Sequence, residues 1–301
     1  MLALFAILLL ISLYIPVLSI VSILFLILPF LLYSAKYPVK YSIMLMIGAI
    51  ILSVFIGNIP ALLFAFTFGT TGTVMGNFLY RKKGTFPVYM AGSLILLANF
   101  IVQYVVAVLF FHMNFIDESI KMMRESFERS FHMMDQLGEP VPDKTVEQFE
   151  TSIDYFRALV PSAFVVSSFV MVFLFIVINF PILKRLGVKV PSWKPVRDWQ
   201  MPKSVLWYYL IILIAAIIFV PEKGSMWFMI YINLSFVLQI CLTIQGLSFL
   251  YFFANLKNWP KAVPVVLTII SILYFPALYL IRILGIIDLG FDLKQRLQQK
   301  P

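Results

Sequence analysis

Apolar residues in this chain come in long unbroken runs separated by short polar breaks. The runs cover roughly 1–15, 17–35, 39–57, 59–80, 86–112, 157–182, 204–220, 225–255 and 262–284. A hydrocarbon layer about 30 Å thick is crossed by around 20 helical residues at 1.5 Å each. The pattern therefore predicts an all-α, polytopic transmembrane bundle of eight or nine spans. Pro16, Pro38, Pro60, Pro87, Pro161, Pro202 and Pro264 fall at or near run boundaries, where a missing N–H costs least. The first run makes only about 22 Å of helix, which calls either for a tilted span or for residues upstream of Met1. It has no charged leader and no small-residue cleavage pattern, so it reads as a retained span rather than a signal peptide.

One sizeable segment departs from this pattern. Over 113–157, Ile116, Ile120, Met123, Phe127, Phe131 and Met134 recur at three-and-four spacing, the mark of an amphipathic helix. Asp117/Lys121 and Glu125/Arg129 lie four apart along its polar face. Gly138-Glu139-Pro140-Val141-Pro142 breaks it. Asp143 then stands where it can cap a second helix with Val146, Phe149, Ile153 and Phe156 on one side. The segment predicts a helical hairpin outside the bilayer, its apolar stripe leaning on the membrane or on the mouth of the bundle.

Composition narrows the class. Charged residues are 12% and hydrophobic ones 62% of the chain, against about a quarter and a half in soluble domains, so lipid is the solvent for most of it. The net charge of +9 comes from crowded basic loops rather than from a nucleic-acid surface. Lys36 and Lys40, then Arg81-Lys82-Lys83, then the 184–203 loop, and then Lys257 and Lys261 alternate with breaks at Ser19, at Gly57-Asn58 and at the acidic hairpin. All basic loops thus fall on one face, which the positive-inside bias makes cytoplasmic together with the N-terminus. The last run conflicts with this scheme. A full span over 262–284 sends the C-terminus outside, whereas Lys294, Arg296 and Lys300 favour the inside. Trp207, Trp227 and Trp259 sit at span edges, as amphipathic rings do.

Candidate chemistry is sparse. The common nucleotide, zinc-protease, esterase and paired-cysteine motifs are absent, and Cys241 is a lone thiol within an apolar run. His112 and His132 read as surface residues, so no metal or cofactor is expected. Gly69, Gly72 and Gly76, interleaved with Thr70, Thr71 and Thr73, form the densest small-residue patch. It is either a helix-packing seam or a face for a partner helix. Asn99 and Gln103 share a side of the fifth run, as do Gln239, Thr243 and Gly246 of a later one, and Asn179, Asn233 and Gln245 add further amides. An unpartnered amide in hydrocarbon costs several kcal/mol, so each faces protein, water or ligand. Asn99, Gln103, Asn179 and Gln239 are accordingly the candidate ligand-binding residues, with interhelical hydrogen bonding as the plainer reading. Arg282, near the end of its run, reads as snorkelling to the interface.

The opening LALFAILLLISLYIPVLSIVSILFLILPFLLYSAKYPVKYS, the stretch FTFGTTGTVMGNFLYRKKG and the ending LYLIRILGIIDLGFD resemble the YybS-type family of bacterial polytopic membrane proteins, a family of unassigned function. That family is distantly similar to the S-components of energy-coupling-factor transporters and to the MreD shape-determining proteins. The resemblance implies an S-component-like bundle of six spans over 1–183, including the 113–157 hairpin, with both ends inside. The basic loop 184–203, further spans over 204–284 and a tail at 285–301 follow. Ala3 and Ala6 are three apart, so the Ala-x-x-x-Ala docking face common on S-components is not met, and no vitamin-binding motif can be matched. Two non-enzymatic readings result, both for a multi-pass protein of the bacterial cytoplasmic membrane. The first is a small-molecule binding or transport module, with Asn99, Gln103 and Asn179 orienting a ligand beneath the hairpin. The second is an MreD-like scaffold that contacts other membrane proteins.

Overall fold

The computed structural model describes residues 1–56, 59–138 and 142–298; Gly57-Asn58, Glu139-Pro140-Val141 of the hairpin break and Lys300 of the basic tail lie outside the described residues. Among those described there is no strand. In chain order the helices are α1 (Leu2–Tyr14), α2 (Pro16–Phe25), α3 (Leu28–Lys36), α4 (Val39–Ile56), α5 (Ile59–Tyr80), α6 (Thr85–Phe111), α7 (Phe115–Gln136), α8 (Asp143–Arg185), α9 (Ser204–Ile218), α10 (Met226–Leu256), α11 (Ala262–Leu273), α12 (Phe275–Phe291) and α13 (Leu293–Gln298). Among the described residues, six spans are long and apolar enough to cross a membrane: the α2–α3 pair, α4, α5, α6, α8 and α10. The α11–α12 pair qualifies jointly but is bent by 120°. At 13 and 15 residues, α1 and α9 reach only about 20 and 22 Å.

Three details differ from the run pattern, and prolines or polar side chains account for the first two. The second run divides at Leu26–Ile27, because Pro29 has no N–H to return to the Phe25 carbonyl and its ring crowds that turn. The sixth run has no start of its own. The second hairpin helix and the span form one helix of 43 residues, about 64 Å long and twice the hydrocarbon thickness. Pro161 lies inside that helix rather than at its end. Asn233 of α10 is placed at this weak point: its Oδ1 accepts from the Ser162 N–H at 2.8 Å, and its Nδ2 donates to the Ala158 carbonyl at 2.6 Å. These are the two groups that a regular helical turn pairs with each other. Finally, α12 continues to Phe291, beyond the expected end of the last run.

The chain divides into two compact units. The first is Met1–Met123 with Ala163–Trp193. Its core stacks Phe5 on Phe30 and Phe68 on Phe175, edge to face, with Leu9, Met75 and Leu96 fully enclosed. Here α5 lies against α3 along its glycines. A Cβ on Gly72 would lie 2.7 Å from Phe30 Cβ, and one on Gly76 would lie 2.5 Å from Ser34 Cβ. The second unit is Arg124–Ser162 with Lys194–Pro301. In it α9 packs Leu206, Tyr209 and Ile212 against Leu238, Leu242 and Leu289. Its portion of the hairpin is closed by Phe127 stacked 3.6 Å over Phe149 and by the Arg124–Glu150 ion pair at 2.6 Å. The α10 and α12 backbones come so close at Gly246 and Gly285 that a Cβ on either would overlap a carbonyl oxygen of the facing helix.

Candidate functional site

In the first unit, Asn99 and Gln103 meet the threonines of α5. Asn99, 3% exposed, donates through Nδ2 to Thr70 Oγ1 at 2.8 Å and Thr71 Oγ1 at 3.2 Å. Gln103 Nε2 donates to Thr67 Oγ1. Thr67 and Thr70 in turn donate back to carbonyls one turn earlier. The amides of α6 and the hydroxyls of α5 thus form one buried polar ladder. Thr67, Thr70 and Thr71 face α6, while Gly72 and Gly76 face α3 and Gly69 faces Met46 and Phe30. The small-residue patch is a packing seam on one side and a hydrogen-bonding seam on the other.

Asn179 has different partners. Its Nδ2 donates to the Leu24 carbonyl at 3.0 Å and to the Phe175 carbonyl at 2.9 Å. Leu24 lies in the last turn of α2, so the amide binds a carbonyl next to the α2–α3 break. The Oδ1 of this wholly buried side chain has no partner, and neither do the buried hydroxyls of Thr73 and Ser93. Gln239 lies half-buried on α10 in the second unit, where its carbonyl accepts from Thr243. Asn99 and Gln103 therefore form one site, and Asn179 joins a different set of groups.

The densest polar cluster is elsewhere, at the end of α10. Gln245 Nε2 donates to Asp288 Oδ2 at 2.5 Å, and its Oε1 accepts from the Met201 N–H at 2.8 Å. Asp288 Oδ1 accepts from the Lys294 N–H at 3.1 Å and so caps the start of α13. Lys294 Nζ donates to the Trp199 carbonyl and to Ser248 Oγ, both at 2.7 Å, and lies 3.9 Å from Asp288 Oδ2. Ser248 Oγ is also within 2.7 Å of the Val196 and Trp199 carbonyls. Asp288 is 3% exposed and Lys294 8%. Burial pushes the Lys294 ammonium below the ordinary lysine range, with Asp288 and then Asp198 pulling the other way. Nearby, Lys203 pairs with Asp292 at 2.5 Å, and Arg197 donates to Asn255. Of this buried cluster, Gln245 stood out in the sequence as an amide at membrane depth and Lys294 only as part of the basic tail. Asp288 was hidden by its apolar flanks, Ile286-Ile287 and Leu289, in a segment that reads as tail.

These contacts also bring the end of the chain beside the 194–203 segment. Residues of the 194–203 segment touch both Asn255, at the end of α10, and Asp292 and Lys294, after α12. With α11 and α12 bent by 120°, the chain turns back at Tyr274, and the basic tail rejoins the basic loop.

Chemically, the described residues contain no group of three His, Cys, Asp or Glu able to hold a metal ion. The arrangement offers hydrogen-bonded seams and one buried ion pair. The chain matches over residues 3–289 a protein family described as "Predicted membrane protein (DUF2232)". It is 32% identical over 302 residues to "Uncharacterized protein YybS" of Bacillus subtilis (strain 168), an alignment covering 99% of this chain and 96% of that protein. No solved structure matches.

Proposed function

The chain belongs to the DUF2232 membrane-protein family, and from that premise we propose that it is a non-enzymatic, multi-pass assembly protein of the bacterial cytoplasmic membrane that works by contact with other proteins. In this reading the basic loops and the N-terminus face the cytoplasm, and the α7–α8 hairpin projects on the opposite side. One observation carries the choice between the two readings. The donors of Asn99, Gln103 and Asn179 are engaged with the protein's own threonines and carbonyls, whereas the hairpin leaves Met122, Met133 and Leu137 more than 60% exposed. Flexible methionines suit an adaptable protein interface. Ten acids against five bases over 113–157 repel an anionic leaflet and suit a partner with a basic rim.

The transporter-like reading keeps one specific support. Asn179 Oδ1, Thr73 Oγ1 and Ser93 Oγ are buried without partners in the first unit, and buried polar atoms of that kind call for an explanation such as a bound molecule or water. A photo-cross-linker placed at 133 and at 137, compared with one at 217 on α9, separates the readings in native membranes. An assembly protein gives a discrete protein adduct at the first two positions only. Asn99→Ala lowers the melting temperature but leaves that adduct intact. Absence of any adduct, together with a metabolite that raises the melting temperature of wild type and not of Asn179→Leu, would transfer the conclusion to ligand binding.

A further inference from the structure

Three stretches far apart in the chain meet at one end of the second unit, where α9 begins and α10 ends. Arg197 donates to Asn255, Lys203 pairs with Asp292 at 2.5 Å, and Lys294 Nζ donates to the Trp199 carbonyl. The 194–203 segment, the turn after α10 and the start of the tail are thereby drawn together, and each brings cations. Asp198 lies 3.8 Å from Arg197, Asp292 pairs with Lys203, and the buried Asp288 attends Lys294. Lys194, Lys257, Lys261 and Arg296 are exposed, and among the described residues no carboxylate pairs with them. Arg282 takes no part. Rather than snorkelling to this end, its guanidinium lies 5.1 Å from the Tyr279 ring, one turn back toward the bend, and its Nε is buried.

The neighbours of these cations decide which anion they meet. Trp207 and Tyr208 near the start of α9, and Trp259 between Lys257 and Lys261, are all more than 40% exposed. Amphipathic rings of this kind settle at the headgroup level of a bilayer. Exposed apolar flanks begin directly beyond them, at Ile211 of α9 and at Val265 and Val266 of α11. In a membrane-spanning chain those flanks meet acyl chains, so headgroups already stand beside the cations, whereas an acidic protein would first have to displace them. Each lysine or arginine near a membrane surface favours anionic lipid by about fivefold. We propose that Lys257, Lys261 and Arg296, with Lys194 beside them, form a binding surface for anionic phospholipid headgroups, assembled from three parts of the chain by the docking of the tail. The surface is independent of the assembly reading, since none of these residues belongs to the hairpin on which that reading rests.

The test uses the full chain in nanodiscs or mild detergent. Native mass spectrometry counts phosphatidylglycerol retained in competition with phosphatidylcholine, which carries the same phosphate but no net charge. Wild type is expected to prefer phosphatidylglycerol, and Lys257→Gln/Lys261→Gln to lose about 25-fold of that preference, two steps of fivefold. Arg296→Gln should lose about fivefold, as a tail that shares the surface requires. Lys257→Arg/Lys261→Arg keeps both charges and should keep the preference. Lys144→Gln/Lys223→Gln, which removes two cations away from this cluster, should match wild type. Equal preference in wild type and Lys257→Gln/Lys261→Gln would overturn the proposal, as would an equal loss in Lys144→Gln/Lys223→Gln. An acidic protein held by wild type in place of lipid, and released by Lys257→Gln/Lys261→Gln, would also overturn it and assign the surface to a protein partner. If the double glutamine variant does not fold, Arg296→Gln carries the test alone, with equality to wild type as the refutation.

Discussion

The Lys294 ammonium is 8% exposed and is held by the Trp199 carbonyl and Ser248 Oγ. Each neutral acceptor recovers part of what desolvation costs, and Asp288 at 3.9 Å adds attraction without direct hydrogen-bond geometry. Burial outweighs the two carboxylates, so the amine's affinity for its proton is lower folded than unfolded. Between that lowered value and the ordinary 10.5, the unfolded chain binds more protons, and stability rises with pH. The contribution is complete above 10.5 and is lost as pH falls through the folded value. Lys294→Met removes this dependence and, at neutral pH, costs about 1–3 kcal/mol in lost hydrogen bonds. The measurement is the melting-temperature gap between wild type and Lys294→Met, which should widen as pH rises toward 10.5. A gap that stays constant would mean that the ion pair with Asp288 keeps the proton in place.

Among the elements, helix–helix approach is set by a few glycines. Where Gly246 meets the Ile281 carbonyl and Gly285 meets that of Leu242, the obstructing atoms are backbone. No rotamer change can relieve an added methyl, and overpacking of even a yielding core costs about 1–3 kcal/mol. Gly246→Ala should therefore cost at least about 3 kcal/mol and expose the 194–203 segment to protease, because Gln245 and Ser248 hold that segment from the same helix. Gly290→Ala, whose new methyl would lie 3.6 Å from the flexible Leu206 Cδ2, should change melting very little. Equal effects at the two positions would refute the close crossing. This is also the scale at which the sequence was most legible. Runs of apolar residues mark nearly every helix, since a hydrocarbon solvent forces backbone pairing into helices, and Gly72-x-x-x-Gly76 already suggested a seam. What the runs could not convey was partnership. Gly285, 39 positions after Gly246 in the chain, has meaning only once α11 and α12 fold back. Asp288 looked like part of a loop because a lone acid between isoleucines and leucine ends a hydropathy run without saying what it binds. Pro161 looked like a boundary because nothing in its neighbourhood names Asn233, 72 positions away, as the group placed beside the interrupted turn.

For the molecule as a whole, the bend at Tyr274 decides which side of the membrane the tail occupies. If α11 and α12 were one straight span, Arg296 would emerge opposite Lys257 and Lys261, yet α13 is tied through Lys294 to Trp199 and through Asp292 to Lys203, in the loop that also meets Asn255. A re-entrant pair makes these contacts compatible with a bilayer: α11 rises about 18 Å, short of the roughly 30 Å hydrocarbon layer, before the chain returns. In the proposed topology α8, long and apolar enough to cross a membrane, puts the hairpin at 113–157 and the loop after Arg185 on opposite sides. Single cysteines at 189, 261 and 296, introduced after Cys241→Ala, should all be protected from an impermeant maleimide in intact cells and all labelled in inverted vesicles. A cysteine at 133 should show the reverse. Labelling of 296 in step with 133 would require α11–α12 to cross fully, and the contacts that bind the tail to the 194–203 loop could not then exist in the membrane.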